Sequence, residues 1–179
     1  MRLRIQEGSH VYVDVQSKAL IAALDHEMTF TAALEPTTLP EVSESGAIEI
    51  AIDARVPVAR LEPPAKGSSF DRDKMIDNLR GRDVLDVKKW PSLEFRGRYR
   101  GTLEKGELDG ELVVRGTPRR MTFAVDMVRG GDGYEARAMW EGTQTALGMK
   151  PYKALLGALR LTDFLRIRIE LTLVEEKSG

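Results

Sequence analysis

Most of the chain alternates apolar and polar residues with a period of two, which is the pattern of β-strands with one buried face. The clearest example is segment 163–176, whose apolar positions are Leu165, Ile167, Ile169, Leu171 and Leu173. A strand this long and apolar would promote aggregation if one edge were free. We therefore expect it to pair on both sides, most simply against the N-terminal strand, and this arrangement indicates a barrel.

Six further segments show the same alternation and read as half-buried strands. Their apolar sides hold Val11, Val13 and Val15; Ala47, Ile48 and Ile50; Leu93, Phe95, Tyr99 and Leu103; Leu108, Leu112 and Val114; Met121, Phe123, Val125 and Met127; and Tyr134, Ala136, Ala138 and Trp140. Short turns at 104–106, 116–118 and 130–133 contain glycine or proline and make neighbouring strands antiparallel. These seven segments are the clearest, and we expect eight strands in the whole chain, so the pattern predicts an all-β, eight-stranded antiparallel barrel.

One segment within this series, 68–81, follows a helical period instead. Ser69 or Asp71 is suited to the N-cap, apolar residues recur at helical spacing, and Gly81 stands where a helix ends. The sequence therefore predicts a helix in the connection between two strands.

A second, shorter helix is predicted within 148–161, before the last strand. Pro151 is suited to a first helical turn, and several leucines follow it. The segment 19–28 fits a short strand or a helical turn equally well.

Composition and charge mainly exclude classes of protein. A chain of 179 residues fits one domain over 1–179. The 27 lysines and arginines are balanced by 28 acidic residues, so nucleic acid is not an expected partner. The chain has no cysteine, which excludes thiol catalysis, thiolate metal sites and disulfides. The first residues lack the apolar core of a signal peptide and no run is long enough to span a bilayer, so we expect a cytoplasmic protein without a transmembrane segment.

The interior of an eight-stranded barrel is either just filled by side chains or able to hold one small ligand. Small residues occupy several inward positions, namely Gly97, Gly101, Gly110, Ala136 and Ala138. They favour unfilled volume among the larger aromatic residues, and such volume would suit a long apolar chain better than a small aromatic molecule. The alternative is that the apolar faces are simply a filled core.

The passage "DRDKMIDNLRGRDVLDVKKWPSLEF" resembles the YceI-like family of lipocalin-like barrels. The residues that match its motif are Arg72, Asp73 and Leu79 on the helix, Asp86, Val87, Lys89 and Pro91 in the connection, and Leu93 and Phe95 in the following strand. Trp90 replaces a tyrosine of the motif, and Asn78 stands where a histidine often occurs. The likeness continues through "GELVVRGTPRRMTFAV" and through the segment that contains Gly148 and Pro151, and it covers roughly 9–173.

This resemblance implies a non-catalytic protein that holds an isoprenoid or fatty-acyl chain, with the helix lying across one end of the barrel as a lid. It also implies a possible homodimer. Together with the inward-facing parity, it gives the candidate ligand-binding residues Leu93, Phe95, Tyr99, Leu112, Met121, Phe123, Val125, Ala136, Ala138, Trp140, Met149, Leu156, Ile167 and Ile169. The alternative function is a filled barrel that serves as a structural or protein-interaction module.

The side chains that could carry chemistry favour binding over catalysis. His26 is flanked by Asp25 and Glu27, but on a strand the two carboxylates would share the face opposite the imidazole. No serine nucleophile motif or phosphate-binding loop is present. We therefore expect no enzymatic activity, no metal and no cofactor, and an esterase-like role of His26 is kept only as a further hypothesis.

Arginines could supply an anion site on the barrel. They form a stripe of Arg96, Arg98 and Arg100 and the pair Arg119–Arg120. An anionic head group such as a prenyl phosphate would suit them. We favour a solvated outer face, with the stripe paired to Asp109 and Glu111 on the next strand.

Overall fold

The computed structural model describes residues 1–19, 26–65, 69–151, 153–154 and 159–176. Its strands are β1 (Leu3–Ile5), β2 (His10–Ala19), β3 (His26–Ala33), β4 (Thr37–Thr38), β5 (Ile48–Pro57), β6 (Ser92–Gly101), β7 (Lys105–Val114), β8 (Thr117–Gly130), β9 (Gly133–Thr143), β10 (Lys153–Ala154) and β11 (Leu159–Glu175). Helix α1 (Ser69–Arg80) lies between β5 and β6, and 3₁₀ turns occupy Val58–Arg60 and Thr145–Leu147.

The long strands form one curled antiparallel sheet in the order β3-β2-β11-β9-β8-β7-β6-β5. Each strand from β5 to β9 pairs with the next along the chain, which is the meander that the short turns predict. The eight-stranded, all-β prediction is confirmed. Strands β1 and β4 form a smaller ladder beside the C-terminal end of β11, and β10 pairs with its first residues.

Strand β11 pairs on both sides, as its apolar alternation requires. It runs antiparallel to β9 on one side and to β2 on the other, with a register shift between Leu161 and Leu165. Leu165, Ile167 and Leu173 are buried. We call β11 and its two long partners, β2 and β9, the wall.

Pairing of β11 with the N-terminal strand does not close the sheet, contrary to the simplest prediction. Strand β2 pairs with β11 along one edge and with β3 along the other. The sheet therefore ends at β3, whose free edge faces the free edge of β5. Within the described residues, one isolated bridge between Thr31 and Glu62 links these edges, through two backbone hydrogen bonds of 2.8 and 3.1 Å. We call this gap between β3 and β5, with its single bridge, the seam.

Helix α1 confirms the predicted helix in the crossover. It ends at Arg80, directly before Gly81, whose amide donates to the carbonyl of Asn78. Ile76 is buried in the core, while Met75 and Leu79 pack against it more loosely. The chain then returns through Trp90 and Pro91, and the Pro91 carbonyl accepts a hydrogen bond from the amide of Val58, at the end of β5.

The second predicted helix is wrong where the structure describes the segment. Lys153–Ala154 is strand β10, which pairs antiparallel with Arg160 and Leu159 at the start of β11. Residues 152 and 155–158 lie outside the described part of the chain, and so do 20–25. Short apolar runs do not distinguish a helix from a strand by periodicity, and this ambiguity explains the error.

The turns are close to their predicted places, with two local corrections. The β7–β8 turn is formed by Arg115 and Gly116, both at positive φ, and Pro118 lies in β8 rather than in the turn. Ala47 precedes β5 and is exposed, because it shares the parity of Glu49 and not of Ile48. The helices of the described chain are too short and too polar to cross a membrane.

Candidate functional site

The inner faces of the curled sheet enclose a cavity of about 240 Å³. Its lining is apolar except for Tyr99 and Arg137. Strands β1, β2, β3, β5, β6, β7, β8, β9 and β11 all contribute, together with Leu34, Leu39, Val42, Leu61 and Leu103 from the connections. The interior of the barrel is therefore hollow rather than filled.

Glycines keep the cavity open in a way that the sequence pattern does not reveal. A Cβ atom built on Gly97 would lie 2.7 Å from Phe95 Cε1, and one on Gly110 would lie 2.6 Å from Phe95 Cζ. The Phe95 ring thus covers both glycines and lies along the sheet instead of extending across the barrel. Tyr99 covers Gly101 and Gly106 in the same manner. The glycines leave space in the cavity because an aromatic ring lies flat against each of them and does not extend into the interior.

The hydroxyl of Tyr99 finds its hydrogen-bond partner in the turn that follows β6. Its hydroxyl donates a hydrogen bond of 2.5 Å to the carbonyl of Thr102, and its side chain is buried. Burial raises the pKa of the Tyr99 hydroxyl. Tyr99 is the one titratable side chain among the described lining residues that point inward, and it is neutral over the physiological range.

The structure brings ten of the fourteen candidate ligand-binding residues to the cavity: Leu93, Phe95, Tyr99, Leu112, Phe123, Val125, Ala136, Ala138, Ile167 and Ile169. Met121, Trp140 and Met149 do not line it, and Leu156 lies outside the described residues. Met121 and the 3₁₀ turn residue Leu147 are each almost fully buried without reaching the cavity. The part of the barrel around Met121 and Leu147 is therefore filled by side chains.

The candidate list omits two thirds of the described residues that line the cavity. The omitted residues include Val11 and Val13 on β2, and Ile48, Ile50, Ile52 and Val56 on β5. Their period-two alternation was visible in the sequence and could have identified them. Leu39 and Val42 had no such signal, because they belong to a loop that packs along β1 through hydrogen bonds to Leu3 and Met1.

His10 does not line the cavity. His10 Nδ1 is 2.7 Å from the carbonyl oxygen of Gly8. His26 begins β3, and its neighbour Asp25 lies outside the described residues. Among the described residues, no cluster of three or more histidines and carboxylates could hold a metal ion.

The arginine stripe on β6 is an exposed outer face, but its partners differ from those expected. Arg98 Nη1 lies 2.8 Å from Glu49 Oε1 on β5, and Arg100 contacts the same carboxylate at 3.4 Å. The hydrogen bond from Arg98 lowers the pKa of Glu49. Asp109 on β7 instead accepts a hydrogen bond from Thr122. The stripe pairs with the preceding strand rather than with the following one.

The outer surface of the wall carries a network around Asp14, whose side chain is fully buried. Arg168 donates two hydrogen bonds to this carboxylate, of 2.7 and 3.0 Å, and Thr29 donates a third of 2.7 Å. Burial alone would raise the pKa of Asp14, but these hydrogen bonds, with the charges of Arg168 and Arg166, lower it. Arg168 also lies 4.9 Å from the centre of the Tyr12 ring. The network joins β2, β3 and β11.

A second concavity, of about 470 Å³, lies beside the seam. We call it the cationic groove. Its lining consists of Ala33, Ala59, Arg60, Leu61, Glu62, Pro63, Arg72, Asp73, Ile76 and Arg80. It is thus formed by the end of β3, the segment after β5 and one face of α1.

A curled antiparallel sheet around an apolar internal cavity is the architecture of lipocalin-like barrels. The model of the YceI-like domain matches residues 6–173, and the chain belongs to this family. The resemblance drawn from the sequence is confirmed.

Solved structures with the same fold share little sequence with the chain. BcnA of Burkholderia cenocepacia is 12% identical, with a TM-score of 0.52 and coverage of 93% of this chain and 96% of that protein. A variant of the Campylobacter jejuni YCEI protein is 14% identical, with a TM-score of 0.53 and coverage of 90% and 85%. None of the curated protein sequences matches the chain.

Proposed function

We propose that this protein binds one long apolar chain, an isoprenoid or a fatty-acyl chain, inside its barrel without chemical conversion. The observation that carries the proposal is the hollow apolar interior, because well-formed apolar pockets are the usual sites of small-molecule binding. Membership of the YceI-like family agrees with this proposal.

The size of the cavity limits how much affinity the chain alone supplies. A water molecule occupies about 30 Å³ of liquid volume, and a methylene group is of similar size. The volume of about 240 Å³ therefore accommodates roughly eight chain carbons. Burying eight methylenes stabilises the complex by about 6 kcal/mol before the cost of association is deducted. Micromolar binding needs about 8 kcal/mol net. A tightly bound ligand must therefore make contacts beyond this volume.

The lining supports binding rather than turnover. The hydroxyl of Tyr99 is occupied by its hydrogen bond to Thr102, and a raised pKa makes it a poor nucleophile. Arg137 borders the cavity between Ala136 and Ala138, and as a residue it is exposed to solvent. Both arrangements agree with a carrier or sequestering protein that binds its ligand without reacting with it.

Organic extraction of the purified protein, followed by mass spectrometry, tests the proposal. We expect one long-chain lipid per protein, or stoichiometric uptake of added polyprenol or fatty acid by the extracted protein. A lipid-free protein that takes up neither probe would contradict the proposal and favour the protein-interaction module.

A pair of neighbouring substitutions tests whether the ligand binds inside the barrel. Ala138→Trp introduces a large side chain into the cavity, and we expect chain binding to weaken at least tenfold while unfolding stays cooperative. Met139→Trp is the matched control, because Met139 is the adjacent residue and is exposed on the outer face. Equal affinities of the two variants in a titration with a fatty-acid probe would show that the chain binds elsewhere.

The cytoplasmic location and the homodimer remain predictions. Cell fractionation with an antibody against the native protein measures the first. Light scattering of the purified protein measures the second, and a mass of about 20 kDa would show a monomer.

A further inference from the structure

The cationic groove contains two arginines that each have one buried N–H donor without a partner among the described residues. The Nε atoms of Arg72 and Arg80 are buried and make no hydrogen bond within the described residues. Arg80 donates from Nη2 to the carbonyl of Ala59, and Arg72 forms no ion pair in the described part of the chain. Buried guanidinium donors without acceptors are costly, and each such group needs an explanation.

The acidic residues around the groove do not satisfy these donors. Glu62 and Asp73 line it as exposed residues, and solvent screens exposed charges strongly. The third arginine of the groove, Arg60, is paired with Glu35. Arg72 and Arg80 are therefore the two half-buried positive charges available to a ligand.

The groove and the apolar cavity meet at one residue. Leu61 lines both, and no other described residue does so. Ala32 and Leu34 line the cavity, whereas Ala33 between them lines the groove. Since side chains alternate across a strand, the groove lies on the outer side of β3 and the cavity on its inner side. The two spaces are next to each other across the seam, where the sheet has no continuous ladder.

We infer that the cationic groove binds the anionic head group, a phosphate or a carboxylate, of the amphiphile whose chain occupies the cavity. The chain passes beside Leu61, and the guanidinium groups of Arg72 and Arg80 donate hydrogen bonds to the head group. Arginine suits this role because its planar donors match carboxylate and phosphate oxygens. This inference rests on the proposed function, and it supplies the contacts that the cavity alone lacks.

Calorimetric titration of the wild-type protein with dodecanol, dodecanoate, dodecyl phosphate and inorganic phosphate tests the inference without any mutation. The three amphiphiles share one chain and are used below their micellar concentrations. We expect both anionic amphiphiles to bind at least tenfold more tightly than the alcohol, as a hydrogen bond to a charged group implies. We expect inorganic phosphate alone to bind more weakly than dodecyl phosphate.

Arg72→Gln removes one of the two donors, and Arg98→Gln is the control that removes an equal charge from the exposed stripe. We expect Arg72→Gln to abolish most of the anionic advantage and to leave dodecanol binding unchanged. Arg98→Gln should change neither affinity. Thermal melting of both variants checks that they fold, and the wild-type comparison remains decisive if Arg72→Gln does not.

The remaining outcomes separate this inference from the proposed function. Equal binding of dodecanol and dodecanoate would overturn the inference and leave the apolar carrier intact. Tight binding of inorganic phosphate, with no gain from the dodecyl chain, would also overturn it, because the groove would then be a site for a free anion. Failure of all three amphiphiles to bind would overturn both.

Discussion

The wall and the seam are built from the same kind of strand but differ in how they are held. In the wall, β11 makes long ladders with β9 on one side and with β2 and β1 on the other, and the Asp14 network braces its outer surface. At the seam, two strand edges face each other through the single bridge between Thr31 and Glu62. The apolar lining is continuous across both regions.

This difference indicates where the proposed long-chain ligand would enter and leave the barrel. Opening the wall would break many backbone hydrogen bonds together. Among the described residues, opening the seam breaks two backbone hydrogen bonds and the exposed ion pair between Arg60 and Glu35. Regions with few backbone hydrogen bonds open locally at low free energy. We therefore expect exchange of ligand through the seam, with the wall unchanged.

The largest expected effect is loss of the brace on the wall. Asp14→Ala removes the carboxylate that accepts two hydrogen bonds from Arg168 and leaves Arg168, among the described carboxylates, only the 3.9 Å contact with Glu170. Removing one member of a buried pair typically costs about 3–5 kcal/mol. Because Arg168 is partly exposed, we expect a loss of about 3 kcal/mol in the free energy of unfolding, measured by urea denaturation. A loss below about 0.5 kcal/mol would mean that backbone hydrogen bonds between the strands, and not the Asp14 network, stabilise the wall.

The second largest effect on stability is expected where an aromatic ring packs on a glycine. A Cβ on Gly142 would collide with the ring of Trp140, and the three nearest atoms all belong to that side chain. We expect Gly142→Ala to destabilise the protein by about 2 kcal/mol, and the added variant Trp140→Ala to relieve the collision in a double-mutant cycle. The control is Gly130→Ala, where the nearest atom is 3.7 Å away. Additive effects at 140 and 142 would argue against the ring contact.

A smaller effect is expected at the seam. Glu62→Pro removes the amide that donates to the Thr31 carbonyl, and Glu62→Ala is the control that retains this amide. We expect Glu62→Pro to lower stability by about 1 kcal/mol relative to the control and to accelerate ligand association in stopped-flow fluorescence. An association rate equal to that of Glu62→Ala would mean that the ligand enters elsewhere.

The smallest effect is the acid sensitivity of the wall. The folded-state pKa of Asp14 is below the ordinary aspartate value of 3.8, so the ionised carboxylate stabilises the fold fully above that pH. This stabilisation is lost as pH falls from about 3.8 through the lower folded-state pKa. Urea denaturation at a series of acidic pH values should show this loss in the wild-type protein and not in Asp14→Asn. Parallel stability profiles of the two proteins would disprove the assignment.

Period-two alternation was sufficient to predict most of the wall and half of the cavity. It identified β11, the meander and the inward faces of β6 to β9, because one buried face per strand leaves a local signal. The seam was not predictable in this way, since it depends on which edges meet after the sheet curls. The cationic groove likewise joins residues of β3, the segment after β5 and α1, which are distant in sequence.

Local patterns also failed where a packing partner decided the outcome. Gly97 and Gly110 signalled open space, but a ring of the same sheet covers them. The stripe of Arg98 and Arg100 signalled ion pairs without showing that Glu49 on the preceding strand would supply the carboxylate. Both failures concern the choice among several cross-strand neighbours, which sequence spacing leaves open.

The most direct test of the central claim is methyl NMR of the extracted protein, labelled at isoleucine, valine and methionine and titrated with dodecanol. Ile50, Ile52, Ile167 and Ile169 line the cavity, while Val128 and Met139 are exposed outside it. We predict intermolecular Overhauser contacts between the dodecyl chain and the four isoleucine methyls, and none to the two outer residues. Contacts to Val128 or Met139 with unperturbed inner isoleucines would contradict the account.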